Sequence, residues 1–124
     1  MKIYRIESET TGYGPYFCPV RPLTKMSRVH VDKTHPEPYE EGLRHGWKHG
    51  FINIEDLERW FSGWLKTLEE NGYVITIYNV PHYLTEIGEF QVVFPPAFQF
   101  HHRFPISQFL VEHDNERATS LSHP

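Results

Sequence analysis

Residues 53–80 have the sequence NIEDLERWFSGWLKTLEENGYVITIYNV, in which a helical pattern is followed at once by a strand pattern. Asn53 is a favourable N-cap, and Asp56 stands at the third helical position, where an acid satisfies a free amide. Apolar residues then recur at three-and-four spacing until Asn71-Gly72 supplies a stop. The pattern predicts one amphipathic helix over about 54–70 that buries its aromatic side chains in a core.

Residues 73–80 carry the strongest strand signal, because β-branched and aromatic residues fill the segment and a proline ends it. Residues 2–7 and 89–94 predict two further strands, and the short connection before the last one predicts that it pairs antiparallel with 73–80. The Phe-rich segment 98–110 predicts either an edge strand or a cover for the sheet. Together the elements predict an α+β fold, a small antiparallel or mixed, split β-sheet packed on one long amphipathic helix.

Residues 19–50 predict a long irregular excursion, since four prolines interrupt them and no helical or strand period persists. The excursion is either a lid or partner surface, or an ordinary surface loop, with a short helix expected near 39–47. At 124 residues the chain is long enough to bury one core. We expect a single domain over 1–112 and a disordered polar tail over 113–124.

Composition excludes several function classes. Twelve basic residues against 16 acidic ones give a net charge of -4, so no excess of positive charge drives direct binding to nucleic acid. No apolar run approaches the roughly 20 residues of a membrane helix, and the single cysteine, Cys18, excludes an intramolecular disulfide. We expect a cytoplasmic protein without a membrane partner, whose acidity suits either docking on a basic surface or simple solubility.

Nine histidines raise the question of a metal site. His45 and His49 are four residues apart and would share one face of a helix, but a glycine follows each of them and opposes a helix there. The adjacent His101 and His102 would point to opposite faces of a strand. We therefore expect no metal site.

An ordered set of residues remains, formed by Arg5 in the first strand, Gly50-Phe51 before the helix, and Glu89 with Gln91 near the last predicted strand. In this order the chain resembles the ADP-ribosyltransferase family. The split sheet of that family holds NAD between a first-strand Arg or His, a Gly-aromatic turn that leads into a helix, and a later strand bearing Glu or Gln. The chain departs from the family because no Ser-Thr-Ser triplet follows the middle strand.

The resemblance implies an NAD site with two catalytic residues. Glu89 would stabilise the positive charge that develops on the ribose when nicotinamide leaves, and Gln91 would hydrogen-bond a ribose hydroxyl or orient the acceptor. Arg5 would pair with a phosphate or ribose. Stacking on the nicotinamide would come from Tyr13, Tyr16 or Tyr78.

Each candidate also has an ordinary structural explanation. Arg5 would form a surface ion pair with Glu7 or another acid. Glu89 would be a solvated residue at a strand end, and Gln91 a satisfied amide on an edge strand.

A second resemblance rests on four segments: IYRIE at 3–7 with GPY at 14–16, GF before a helix containing WF, and QVVF at 91–94. They are similar to a family of small proteins encoded by bacteriophages and prophages. This similarity implies a phage origin but no activity, and it makes a host bacterial protein in the host cytoplasm the expected partner.

Three functions stay open on the sequence. The first is an NAD-dependent ADP-ribosyltransferase that modifies a host protein. The second is a non-enzymatic, anti-CRISPR-like counter-defence inhibitor that acts by protein–protein binding, for which an aromatic content of 15% supplies anchors. The third is a structural or assembly accessory protein.

Overall fold

Two three-stranded antiparallel sheets form the frame of the molecule. The structure is a computed structural model, and it describes residues 1–16, 35 and 38–110. The predictions for Cys18, for most of 19–37 and for the tail 113–124 lie outside the described residues. The strands are β1 Lys2–Ser8, β2 Lys48–Gly50, β3 Tyr73–Asn79, β4 Glu86–Ile87, β5 Val92–Phe94 and β6 His102–Pro105.

The first sheet has the order β1-β3-β6 and the second has the order β2-β5-β4. β1 and β3 pair along their whole length, from Lys2 opposite Asn79 to Ser8 opposite Tyr73. The two sheets meet where the backbones of Tyr4 and Phe51 exchange hydrogen bonds of 2.7 and 2.8 Å. The predicted α+β class with small antiparallel sheets is therefore confirmed.

The predicted long helix is present as two short helices, α1 Ile54–Trp60 and α2 Leu65–Glu70. Its predicted start is confirmed, because Asn53 Oδ1 accepts a hydrogen bond of 2.8 Å from the Asp56 amide. The prediction of one continuous helix was wrong because Gly63 adopts a φ of +84°, which interrupts the helix. The three-and-four apolar spacing runs through this break, so it did not reveal it.

The predicted antiparallel pairing of residues 89–94 with residues 73–80 was also wrong. β5 pairs with β2 and β4 in the second sheet, whereas β6 lies beside β3, with Thr76 opposite Arg103. The connection after β3 contains a short 3-10 helix, His82–Leu84, and then β4, which together carry the chain out of the first sheet. β6 is the edge strand that the Phe-rich segment predicted as one of two alternatives.

The excursion contains more regular structure than its pattern indicated, within the part that is described. A 3-10 helix covers Pro38–Glu41, and β2 follows at Lys48–Gly50. The helix expected near 39–47 is thus a single short turn at the start of that range. Among the described residues, no helix has both the length and the apolar character needed to cross a bilayer.

Both faces of the first sheet are buried, but they differ in chemistry. One face packs on α1 and α2, and its core includes Ile6, Ile75, Leu57 and Leu68. Side chains alternate along a strand, so the neighbouring residues of β1 and β3 point to the opposite face. That face carries three buried polar or charged residues of the two strands, Arg5, Glu7 and Thr76.

Candidate functional site

Glu7 is fully buried and accepts hydrogen bonds from three side chains. Arg5 Nε lies 2.9 Å from Glu7 Oε2, and Arg103 Nη2 lies 2.7 Å from Glu7 Oε1. The Tyr78 hydroxyl lies 2.8 and 2.9 Å from the two carboxylate oxygens. Lys48 Nζ in turn donates to the Tyr78 hydroxyl over 3.2 Å. We call these five residues the Glu7 cluster.

The strand order builds this cluster from distant parts of the chain. Alternation along β1 places Arg5 and Glu7 on one face, and the register places Arg5 opposite Thr76 and Thr76 opposite Arg103. Arg103 therefore reaches Glu7 although 96 positions separate them. Lys48 approaches from β2, in the second sheet.

The cluster holds its central carboxylate in the charged form. Burial alone would raise the pKa of Glu7. Hydrogen bonds from Arg103 and Tyr78 and the charge of Arg5 together lower it by more, so the pKa lies below its ordinary value. Burial, and then the negative charge of Glu7, raise the pKa of Tyr78. Burial lowers the pKa of Lys48, and the neighbouring Arg5 and Arg103 lower it as well, against the opposing effect of Glu7.

The Arg5 guanidinium donates hydrogen bonds to three different residues. Besides Glu7, its guanidinium donates to the His49 carbonyl over 2.8 Å and to the Gly12 carbonyl over a long 3.5 Å. Burial, with a smaller contribution from Arg5, lowers the pKa of the His49 ring to about 4, so this ring is neutral at pH 7. The expected ion pair between Arg5 and Glu7 is present, but it lies in the interior rather than at the surface.

Glu89 and Gln91 lie in a tight turn between β4 and β5. The Gly88 amide donates to the Gln91 carbonyl over 2.8 Å, and Glu41 accepts bonds from the Phe90 amide at 2.8 Å and from Gln91 Nε2 at 2.9 Å. The Glu41 carboxylate also fills the space that a side chain at Gly88 would need. Gln91 is therefore buried and fixes the turn, while Glu89 is exposed at its tip.

A shallow groove runs beside this turn. Ile52 and Ile87 both line it and are 45% and 47% exposed, and Asp56 and Glu89 add carboxylates. We call this set of lining residues the Ile87 surface: Ile52, Asp56, Ile87, Glu89 and Phe90.

The two tyrosines of the first loop differ in their surroundings. Tyr13 is 50% exposed, and the Tyr16 hydroxyl accepts a bond of 2.8 Å from Trp60 Nε1. Burial raises the pKa of Tyr16. Of the predicted NAD ligands, Arg5 and Tyr78 share the partner Glu7, and Arg5 and Tyr16 line one small cavity.

The predicted catalytic pair and the predicted phosphate ligand have separate partners. Arg5 donates to Glu7, whereas Gln91 donates to Glu41. The roles assigned to Glu89 and Gln91 remain predictions. Within the same residues, no group of three or more His, Cys, Asp or Glu side chains is arranged to hold a metal ion.

Four residues that matter to these sites were missed in the sequence: Glu41, Lys48, Thr76 and Arg103. One indication that Arg5 and Glu7 are buried was present in the sequence. By strand alternation they lie on the same side of β1 as Ile3, a typical core residue. Arg103 and Lys48 gave none, since their contacts depend on strand order and not on local spacing.

Comparison with known proteins supports one of the two resemblances. A family model described as the bacteriophage T4 Y00F protein matches residues 1–100, which include the Ile87 surface and all of the Glu7 cluster except Arg103. Searches of curated proteins and of solved structures found no match. Because the family match covers well over half of the chain, the protein belongs to the phage-encoded family of the bacteriophage T4 Y00F protein.

Proposed function

We propose that this phage-family protein acts by binding a host bacterial protein, as a non-enzymatic counter-defence inhibitor of the anti-CRISPR-like kind. The observation that carries the proposal is the Ile87 surface, where two exposed isoleucines stand beside an exposed carboxylate, Glu89, that has no ion pair among the described residues. Exposed apolar side chains with a polar rim are typical of protein interfaces.

Rigidity of the turn supports a docking role. Glu41 accepts two bonds from the turn, and Gln91, its side-chain partner, is only 4% exposed. Glu89 and Ile87 are thus presented on a backbone that is already ordered before binding. Preordered surfaces lose less conformational entropy on association, which favours affinity.

Charge indicates the kind of partner. The chain carries a net charge of -4, and Glu89 and Asp56 add negative charge to the groove, although Asp56 also pairs with Arg59 at 3.0 Å. Such a surface complements a basic face on a host protein, of the kind that normally holds nucleic acid. We place that partner in the host cytoplasm.

Affinity capture from host cells, followed by calorimetry with the purified partner, tests the proposal. Three forms are compared: the unaltered protein, Ile87→Lys, and Tyr13→Lys as a control with the same change in net charge on an equally exposed residue outside the surface. We expect one partner with fixed stoichiometry, an affinity that falls with salt, and a loss of about tenfold or more for Ile87→Lys alone. Equal binding by Ile87→Lys, or no partner, would overturn the proposal.

The competing hypothesis is an ADP-ribosyltransferase that uses NAD to modify the host protein. Less supports it, because Arg5 is engaged by Glu7 and the His49 carbonyl while Glu89 lines a different groove. Calorimetry with NAD at millimolar concentration separates the two hypotheses. Heat of binding that disappears in both Arg5→Ala and Glu89→Ala would replace the binding proposal with the enzymatic one.

A further inference from the structure

A cleft lies at one end of the first sheet, where β1 ends, β3 begins and β6 ends. Its volume is about 200 Å³, and its walls include Glu9, Glu69, Tyr73, Val74, Arg103 and Phe104. Gly72 also lines it, and a side-chain carbon placed there would meet no atom within 4 Å. The cleft is smaller than small-molecule sites, which measure roughly 300–1,000 Å³, so it suits a single side chain better than a cofactor.

Both carboxylates of the cleft have free acceptor atoms. Glu9 is exposed, and its side chain makes no hydrogen bond or ion pair within the described part of the chain. Glu69 is partly buried, and its Oε1 accepts bonds from the Ser107 amide at 2.9 Å and from the Ser107 hydroxyl at 2.8 Å. Its Oε2 has no hydrogen-bond partner among residues 1–16, 35 and 38–110. The two carboxylates can therefore accept hydrogen bonds from a cation that enters the cleft.

Arg103 does not cancel the charge of these carboxylates. It brings one positive charge to the cleft against two negative ones, and its guanidinium is bound to other groups. Nη2 lies 2.7 Å from Glu7 Oε1, and Nη1 donates to the Glu9 backbone carbonyl over 3.1 Å. Phe100 lies over the same guanidinium, 4.2 Å from ring centroid to Cζ. The cleft thus keeps a net negative charge.

The remaining walls suit a flat cation on an apolar stem. Tyr73 and Phe104 contribute aromatic rings, and Val74 and Pro105 contribute apolar surface. An arginine guanidinium donates several hydrogen bonds and stacks on aromatic rings, while its alkyl stem packs on apolar side chains. Arginine therefore matches these walls better than lysine, whose ammonium is compact and strongly hydrated.

We propose that this cleft binds an arginine side chain from the basic face of the host protein, with Glu9 and Glu69 accepting hydrogen bonds from its guanidinium. Hydrogen bonds between guanidinium and carboxylate groups are among the strongest in proteins, and opposite charge favours this pairing over others. The inference rests on the proposed function for the source of the side chain. It adds a second contact, outside the Ile87 surface.

NMR titration with N-acetyl-arginine amide tests the cleft without the host protein. N-acetyl-citrulline amide is the matched probe, because a neutral urea replaces its guanidinium. We expect the arginine probe to shift the backbone amides of Gly72, Val74 and Phe104, and to bind about fivefold more tightly than the citrulline probe at low salt. No shift at these amides, or equal binding of the two probes, would overturn the proposal.

Substitutions of the two acids separate a ligand role from a structural one. Glu69→Gln keeps the Oε1 acceptor that Ser107 uses, and Glu9→Gln breaks no side-chain contact among the described residues, so both variants should stay folded. Each should bind the arginine probe about fivefold more weakly. Glu70→Gln is the matched control, because Glu70 is exposed on the same helix and does not line the cleft. If either variant binds the probe as tightly as Glu70→Gln does, the assignment is contradicted.

The outcomes also distinguish this inference from the proposed function. Capture of a host partner that depends on Ile87, with no response to the arginine probe, would support the Ile87 surface and overturn the cleft. A response to the probe without any captured partner would support the cleft as a guanidinium site and overturn its assignment to a host protein.

Discussion

The two faces of the first sheet are both buried, but they hold together in different ways. The face against the helices is apolar, with Leu57, Leu68 and Ile75 fully buried. The opposite face encloses an ionised carboxylate, Glu7, between two arginines and a tyrosine. The first kind of core tolerates an imperfect fit at moderate cost, whereas the second depends on each partner being present.

The apolar face can be predicted from the sequence pattern, whereas the burial of the polar face cannot. An apolar face repeats with a period that a short window detects. A buried polar face alternates apolar and charged residues in the same way as a strand with one solvated side, so Arg5 and Glu7 resemble surface residues until the covering elements are known.

Removing the central charge should give the largest effect. Glu7→Gln leaves the buried Arg5 and the partly buried Arg103 against a neutral amide, and we expect the free energy of unfolding to fall by about 3–5 kcal/mol. Urea unfolding at pH 7 measures it. Glu89→Gln, an exposed control, should stay within about 0.5 kcal/mol. Similar small losses for both variants would mean that Glu7 is not an essential counter-charge.

A cavity on the apolar face should cost somewhat less. Leu57 is fully buried, so Leu57→Ala should lower the free energy of unfolding by about 2–5 kcal/mol. The loss should not change between low and high salt, because no charge is involved. Ile87→Ala, at an exposed position, serves as the control. A loss for Leu57→Ala as small as that for Ile87→Ala would show that Leu57 does not pack in the core as described.

The polar side should also respond to pH. The pKa of His49 is lowered to about 4 from an ordinary 6.5, so between these values the unfolded chain binds a proton that the folded protein does not. Stability should therefore rise as pH increases from 4 to 6.5 and be lost as pH falls through that range, by at most about 3 kcal/mol from this group.

Urea unfolding at pH 7, 5 and 4 measures this dependence. His49→Asn should flatten the profile between pH 6.5 and 4, while the exposed His45→Asn should leave it unchanged. A His49→Asn profile as steep as that of the unaltered protein would assign the pH response to another group. Glu7, with its lowered pKa, adds a further loss only below pH 4.5.

The smallest predicted effect concerns the start of α1. Asn53→Ala removes the cap bond to the Asp56 amide and should cost about 1 kcal/mol of unfolding free energy. Asn79→Ala, at the exposed end of β3, controls for the loss of an amide side chain. If the two variants lose the same stability, the cap contributes nothing beyond side-chain polarity.

Much of the fold follows from the sequence, because β1, β3 and the capped start of α1 extend over enough residues to show their periods. β2 and β4 were not predicted, because strands of three and two residues are too short for an alternating pattern to be recognised. The pairing of β5 was wrong because strand order depends on the path of the connection, which local patterns do not encode.

Less of the site could be predicted. Arg5 and Tyr78 were both predicted to bind NAD, and in the structure they share the partner Glu7, which was expected to be a surface partner of Arg5. Tyr78 lies 71 positions from Glu7 and Arg103 lies 96 positions away, and contacts at such separations leave no trace in residue spacing. The turn at Glu89 and Gln91 depends in the same way on Glu41, about 50 positions earlier.

The ionised state of Glu7 is the central claim in this description of the polar face. Titration of the Glu7 side-chain carboxyl carbon by NMR measures it directly. We expect the Glu7 midpoint to lie below its ordinary value of 4.5. A midpoint at or above 4.5 would show that burial outweighs Arg5, Arg103 and Tyr78, and would contradict this description of the cluster.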